Sequence, residues 1–413
     1  MNDLARTLGL RDAVALGLGS MIGAGVFVVW APAARAAGAW LFAGLVLAAV
    51  VAWCNATSSA QLAARYPSAG GTYLYGREEL GPWWGFLAGW GFVVGKTASA
   101  AAMALTAVTY LVPDGWWQRP VAALAVVALA GVNYRGITRT AALTRVLLAA
   151  VGAVLVAVVA ATWLGGAPGA LARLEPAPAT PAGVLQAGGL IFFAFAGYAR
   201  IATLGEEVRD PRRAIPRAIW IALGVVVVLY AFVGIGTVGT LGPDAVAASP
   251  APVLAAVEAS PAPWLAPAVR VGAGLAALGA LLGLIAGIGR TALAMARHGD
   301  LPRPLAAVHP RFGVPHVAEV AVGAAVAGLV LVADLREVIG FSSFGVLVYY
   351  AVANLAAWRQ REGRLAPRAV QGLGLALCLL LVAALPVASV AAGAAVFAVG
   401  LAGRLLVRRR PPR

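Results

Sequence analysis

Lysine is nearly absent from this chain. Lys96 stands alone among 31 basic residues; all the others are arginine. There are only two cysteines, Cys54 and Cys378, and both fall in apolar runs. That excludes a disulfide framework and leaves two small core hydrophobes. His298, His309 and His316 gather near one loop, without cysteines or paired carboxylates at ligand spacing. This pattern argues against a metal site. The 16 acidic residues lie in loops or near the ends of apolar runs, so none sits mid-run to neutralise a buried cation. A nucleotide-binding loop is also missing. Gly17, Gly19, Gly23 and Gly25 crowd together, but no strand precedes them and no acid follows before Glu78. No cofactor or metal is expected, and no cluster of Asp, Glu or His suggests an enzyme.

Apolar residues are what the chain has in excess. They make up 62% of it, with 11% charged and a mean hydropathy of +0.88. A chain of 413 residues cannot hide that much apolar surface in one soluble core. An all-α integral membrane protein is expected. Apolar stretches fall at 13–34, 39–63, 83–112, 120–133, 142–165, 183–205, 218–240, 264–293, 316–333, 338–358, 369–385 and 387–404. These are spans 1 to 12. The fourth is short against the usual requirement of about 17–25 residues, and only Pro386 parts the last two. The first span resembles a signal peptide in its flanks, with Arg6 and Arg11 before it and Ala31-Pro32-Ala33 near its end. It is too long for one and is followed by further spans, so it is kept.

Charge fixes the expected orientation. Loops on the side of the N terminus carry twenty-four of the 31 basic residues, and the opposite loops carry four, Arg35, Arg119, Arg173 and Arg336. Lys96, Arg200 and Arg270 lie within or near spans. Both termini are therefore expected in the cytoplasm, in a multi-pass protein of the cytoplasmic membrane. The net charge of +15 belongs to this topology and not to nucleic acid. The outer loops 166–182 and 241–263 are rich in Pro and Ala and read as connectors. Arg408, Arg409 and Arg410 read as an anchor against anionic lipid.

Two stretches rhyme. Gly19-Ser20-Met21-Ile22-Gly23-Ala24-Gly25-Val26-Phe27 lies in span 1, and Phe192-Phe193-Ala194-Phe195-Ala196-Gly197-Tyr198 lies in span 6. Glycine disfavours a helix interior, and lipid tolerates unwound backbone only where it lines a cavity or is buried in protein. Interrupted helices at matching places in two halves point to the substrate site of a secondary transporter. Segments 1–165 and 166–358 are expected to form inverted repeats of five spans each, with 359–413 adding spans 11 and 12 and a basic tail. Unwinding frees amide N–H groups that favour a carboxylate, and carbonyls that can accept from an ammonium.

These residues resemble the amino acid–polyamine–organocation (APC) permeases. Gly19 to Phe27 looks like the family's first span, and Phe192 to Tyr198 like its sixth. Glu206-Glu207-Val208-Arg209-Asp210-Pro211 through Arg217 is similar to the loop that follows. Tyr66-Pro67-Ser68-Ala69-Gly70-Gly71-Thr72-Tyr73 and Met295-Ala296-Arg297-His298-Gly299-Asp300-Leu301-Pro302 look like two more of its loops. The resemblance implies a leucine-transporter-like fold with broken spans 1 and 6. Substrate carboxylate would meet Ile22, Gly23, Ala24 and Gly25. Substrate ammonium would meet carbonyls of Met21, Phe193, Ala194 and Ala196, with Gly197 in the break and Phe195 and Tyr198 as gate candidates. Some members resemble this design but carry a lysine in span 5; span 5 here has none. The fold also implies a sodium site at hydroxyls of span 8, yet Trp264 to Arg290 holds no Ser or Thr.

Lys96 sits mid-span, where a charge costs about 2.5–3.5 kcal/mol and marks a functional candidate. Lysine can release its proton on burial, which arginine effectively cannot. It is read as a coupling or charge-balancing group, with a static ammonium bonding unwound carbonyls as the alternative. The expected function is secondary active transport of amino acids by alternating access, coupled to protons or run as exchange. A neutral amino acid is favoured, and an acidic one enters if Lys96 faces the site. A polyamine or other amine permease, an exporter, or a transport-fold sensor are the alternatives. Asn55, Thr57, Ser58, Ser59 and Gln61 in span 2 are expected to bond neighbouring helices.

Overall fold

A computed structural model describes residues 8–66, 70–136, 141–166, 169, 180–202 and 208–409. Pro67 to Ala69, Arg139, Arg173, Glu206, Glu207 and most of loop 166–182 lie outside the described residues, as does the tail from Arg410. Among the described residues the secondary structure is helical, apart from one isolated bridge between Leu8 and Val208. Helices stand at all twelve expected positions. Span 1 is split into Leu10–Met21, Gly25–Val28 and Trp30–Ala37. Span 2 is Leu41–Arg65, span 3 Pro82–Leu111, span 4 Gln118–Tyr134 and span 5 Ala141–Leu164. Span 6 is Pro181–Phe195 with a short continuation, Ala199–Ala202. Spans 7 to 12 are Pro211–Leu241, Ala266–Arg297, His316–Val332, Leu335–Arg359, Arg368–Ala384 and Val387–Arg409.

Eight stretches among the described residues are long and apolar enough to cross a membrane, and spans 6, 9 and 11 are shorter apolar helices. Span 4 reaches 17 residues, longer than its apolar run, because Gln118 and Tyr134 extend it into polar ground at both ends. Three α-helices among the described residues were not foreseen: Pro243–Ala248 and Pro252–Glu258 within the connector 241–263, and one on the N-terminal side. Gly71–Leu80 forms a helix before span 3 and packs along it. Its composition is mixed, so no apolar period announces it. Pro82 then opens span 3 behind Gly81, whose φ of 107° suits glycine.

Ion pairs join residues expected on the same side of the bilayer. Arg119 pairs with Asp334 and Arg270 with Glu258 at one end. Arg145 pairs with Asp12, Arg65 with Glu79, and Arg77 and Arg404 with Asp300 at the end bearing the N terminus. The polar patch of span 2 bonds across helices. Asn354 of span 10 donates to Asn55 at 2.6 Å, Ser58 donates to Asn354 at 2.6 Å, and Gln61 reaches the Ala357 carbonyl at 3.0 Å. Cys378 of span 11 donates to Asn55 at 3.3 Å. Spans 2, 10 and 11 are thus laced by buried hydrogen bonds.

Candidate transport site

Both breaks use the same local device. In span 1 the helix ends at Met21, and the Gly23 N–H bonds back two residues to the Met21 carbonyl at 2.8 Å. In span 6 the helix ends at Phe195, and the Gly197 N–H bonds to the Phe195 carbonyl at 2.8 Å. Such a tight turn drops the usual bonds to the fourth residue and leaves main-chain groups without helical partners. The break in span 1 covers Ile22 to Ala24, so Gly19 is still helical.

Glycine is needed here for contact, since neither Gly25 nor Gly197 has positive φ. A Cβ on Gly25 would stand 2.8 Å from Ala194 Cα, just ahead of the break in span 6. A Cβ on Gly197 would fall on the Ser20 carbonyl, just ahead of the break in span 1. Each break therefore presses its glycine against the backbone of the other.

Side chains from elsewhere take up several freed carbonyls. Lys96 Nζ, buried at the centre of span 3, donates to the Ala196 carbonyl at 3.0 Å. The Tyr230 hydroxyl of span 7 lies 2.7 Å from the Met21 carbonyl and 3.2 Å from that of Ala194, within reach of both breaks. Its one proton serves one acceptor at a time or is shared between them. Ser99 and Ser342 share a hydrogen bond of 2.6 Å and join spans 3 and 10 one turn beyond Lys96. Three carbonyls that the resemblance would give to a substrate ammonium are thus held by Lys96 and Tyr230.

A cavity of about 790 Å³ lies between the breaks. Met21, Gly23, Gly25, Phe193, Ala194, Ala196, Gly197 and Lys96 line it; Ile22, Ala24, Phe195 and Tyr198 do not. Phe195 packs on Tyr230 with ring centroids 5.2 Å apart, and Tyr198 on Tyr350 at 5.0 Å, both fully buried. The two gate candidates therefore sit behind the cavity wall in this structure. Span 8 offers the opposite wall through Ala280, Gly283, Gly287 and Thr291. From the breaks the cavity continues past Arg290 and Arg297 to Leu8 and Gly70, at the end bearing the N terminus. At the other end the Tyr110 hydroxyl donates to the Phe27 carbonyl at 2.9 Å, and Trp30 is wholly buried. No Asp or Glu appears in the described lining.

Sequence reasoning missed Tyr230, Arg290 and the small residues of span 8. Tyr230 carried a faint signal, as a polar-tipped residue within Val225 to Val233. Its partners come from remote segments that only the fold brings near. Among the described residues no group of three His, Cys, Asp or Glu could hold a metal ion.

The sequence profile of the family described as amino acid permease matches residues 8–404. An uncharacterized transporter of Mycobacterium tuberculosis is 57% identical over 99% of this chain and 93% of its own length. A branched-chain amino acid permease of Bacillus subtilis is 27% identical, covering 92% of this chain and 88% of its own. A vacuolar cationic amino acid transporter 2 of Arabidopsis thaliana is 29% identical over 86% of this chain and 60% of its own.

Proposed function

Because this chain belongs to the amino acid permease family, within the APC superfamily, we propose that it moves amino acids across the cytoplasmic membrane by alternating access. The observation that carries the reading is the cavity enclosed by two reciprocal helix breaks and extending to one end of the molecule. With the basic loops in the cytoplasm, that end faces inward, and the contacts around Tyr110 and Trp30 close the outer end. Segments 1–165 and 166–358 then act as the two repeats that rock about the site.

The substrate carboxylate is read onto the amides at the start of Gly25–Val28, which Trp30–Ala37 continues, where the half-helix dipole favours an anion. The neutral amino acids remain the first class. Lys96 lines the cavity without a carboxylate in the described lining, which supports acidic substrates over cationic ones. A branched-chain name among the relatives accords with a neutral side chain, and a cationic name does not fit this lining as well. Lys96 is the coupling group in this reading. Its proton is in place when substrate binds from the outer side and passes to water in the inward-facing cavity as the substrate leaves, so that a proton enters with the substrate.

The test is uptake of a panel of labelled amino acids into proteoliposomes, with and without an inward proton gradient. Gradient-stimulated accumulation of neutral or acidic amino acids is expected. Uptake only into vesicles preloaded with amino acid would make the protein an exchanger. Folded protein that moves no amino acid would end the reading and favour another amine or a sensor.

A further inference from the structure

A second cavity, of about 690 Å³, runs along span 9 on a different face from the one that meets spans 4 and 8. Ala318, Ala321, Ala325 and Leu329 form its floor, and spans 3, 10 and 12 supply its walls. Those span 9 positions recur every three or four residues, so one helix face borders the groove from end to end. At 1.5 Å per residue the 17-residue span makes the groove about 25 Å long. The lining is apolar almost throughout, and the Thr97 hydroxyl within it is already bonded to the Val93 carbonyl at 2.8 Å.

Size narrows what can fill this space. A helix about 10 Å across and 25 Å long takes on the order of 2,000 Å³, more than the groove holds. Water has too few polar partners along such walls. A single hydrocarbon chain fits a long, narrow, apolar space between spans. Charge then orients it. The mouth on the N-terminal side is bordered by Leu301 and Leu305, with exposed Arg303 between them in sequence. The opposite mouth is bordered by Glu337. An anionic headgroup is attracted at the first mouth and repelled at the second.

We propose that this groove binds one acyl chain of an anionic phospholipid, entering from the leaflet on the N-terminal side with its phosphate at Arg303. The lipid acts as a wedge between spans 9 and 12. The proposal rests on the membrane location and not on the transport reading, so failure of one leaves the other standing.

The test uses the full-length protein in vesicles containing phosphatidylglycerol or phosphatidylcholine with a photoreactive group on the acyl chain. Labelled peptides from span 9 between Ala318 and Leu329, at least fivefold more from phosphatidylglycerol, are expected. The preference should vanish in Arg303→Gln, and labelling should fall at least tenfold in Ala325→Trp, whose side chain fills the groove. Should Ala325→Trp fail to fold, Ala392→Phe on the span 12 wall serves the same purpose. Equal labelling by both lipids, unchanged labelling in a filled groove, or cross-links from span 9 to a second copy in place of lipid would overturn the proposal.

Discussion

A cation at the centre of span 3 is tolerated because the break in span 6 gives it an acceptor. A hydrogen bond to a charged group is worth about 1.5–3 kcal/mol, similar to the cost of placing the ammonium mid-membrane. Lys96 and the Ala196 carbonyl thus stabilise each other, and an unbroken span 6 would leave the ammonium without that partner. Arginine would keep the charge but cannot release a proton. Lys96→Arg is therefore expected to retain exchange of preloaded amino acid while losing gradient-driven accumulation at least tenfold. Lys96→Met is expected to lose accumulation as well. Parallel exchange and gradient assays in proteoliposomes check both. If Lys96→Arg accumulated substrate as the parent does, Lys96 would be a static strut. Tyr230→Phe tests the neighbouring contact: it keeps the ring on Phe195 and removes the hydroxyl from both breaks. Its expected signature is slower turnover, by about tenfold, with KM changed less, since two freed carbonyls no longer move together.

The breaks are elements whose places could be read in advance, while their mutual contact could not. Crowded glycines in span 1, and Gly197 in the aromatic run of span 6, announced where the two spans would fail, and the helices do end at Met21 and Phe195. That Gly25 meets Ala194 and Gly197 meets Ser20 depends on two segments more than a hundred residues apart, and no local pattern carries that information. The same limit explains Phe195 and Tyr198. An aromatic residue beside a break suits a gate, yet the turn of span 6 directs both rings to Tyr230 and Tyr350. The spans themselves were legible because each must satisfy its backbone internally and present apolar residues over a bilayer's width. The helix Gly71–Leu80 satisfies its backbone but presents no apolar stretch of that width, and so left no trace in the hydropathy. The close approach gives an element-level prediction. Gly197→Ala places a methyl on rigid main chain, so it should destabilise the protein by about 1–3 kcal/mol. It should also abolish uptake more completely than Gly283→Ala in span 8, where a Cβ meets open space. Thermal unfolding in detergent and uptake, measured on both variants, compare the two sites.

At the scale of the whole molecule, one buried carboxylate ties four segments together at the mouth of the transport cavity. Asp300, just after span 8, accepts from Tyr73 at 2.9 Å, from Arg77 at 2.9 Å and from Arg404 of span 12 at 2.9 Å. Arg404 also reaches the Pro82 carbonyl at 2.8 Å and lies over Trp83 and Phe86 at the start of span 3. Burial, and next the Asp300 carboxylate, push the Tyr73 phenol above its usual range, so it remains a donor at any physiological pH. The helix that carries Tyr73 and Arg77 begins beside Gly70 and carries Leu74, both in the cavity wall. The cluster therefore holds the ends of spans 3, 8 and 12 and the connecting helix as one block, against which the broken spans can move. A buried pair that loses one partner typically costs about 3–5 kcal/mol, because the remaining charge is stranded. Asp300→Asn keeps the shape, removes the charge and strands two guanidinium groups. It is expected to lower stability by that amount and to slow transport while leaving the order of substrate preference unchanged, since no atom of the cluster lines the site between the breaks. Thermal unfolding together with competition by a panel of unlabelled amino acids checks it. A changed preference order in a stable Asp300→Asn protein would mean that the mouth takes part in selection and is more than a fixed frame.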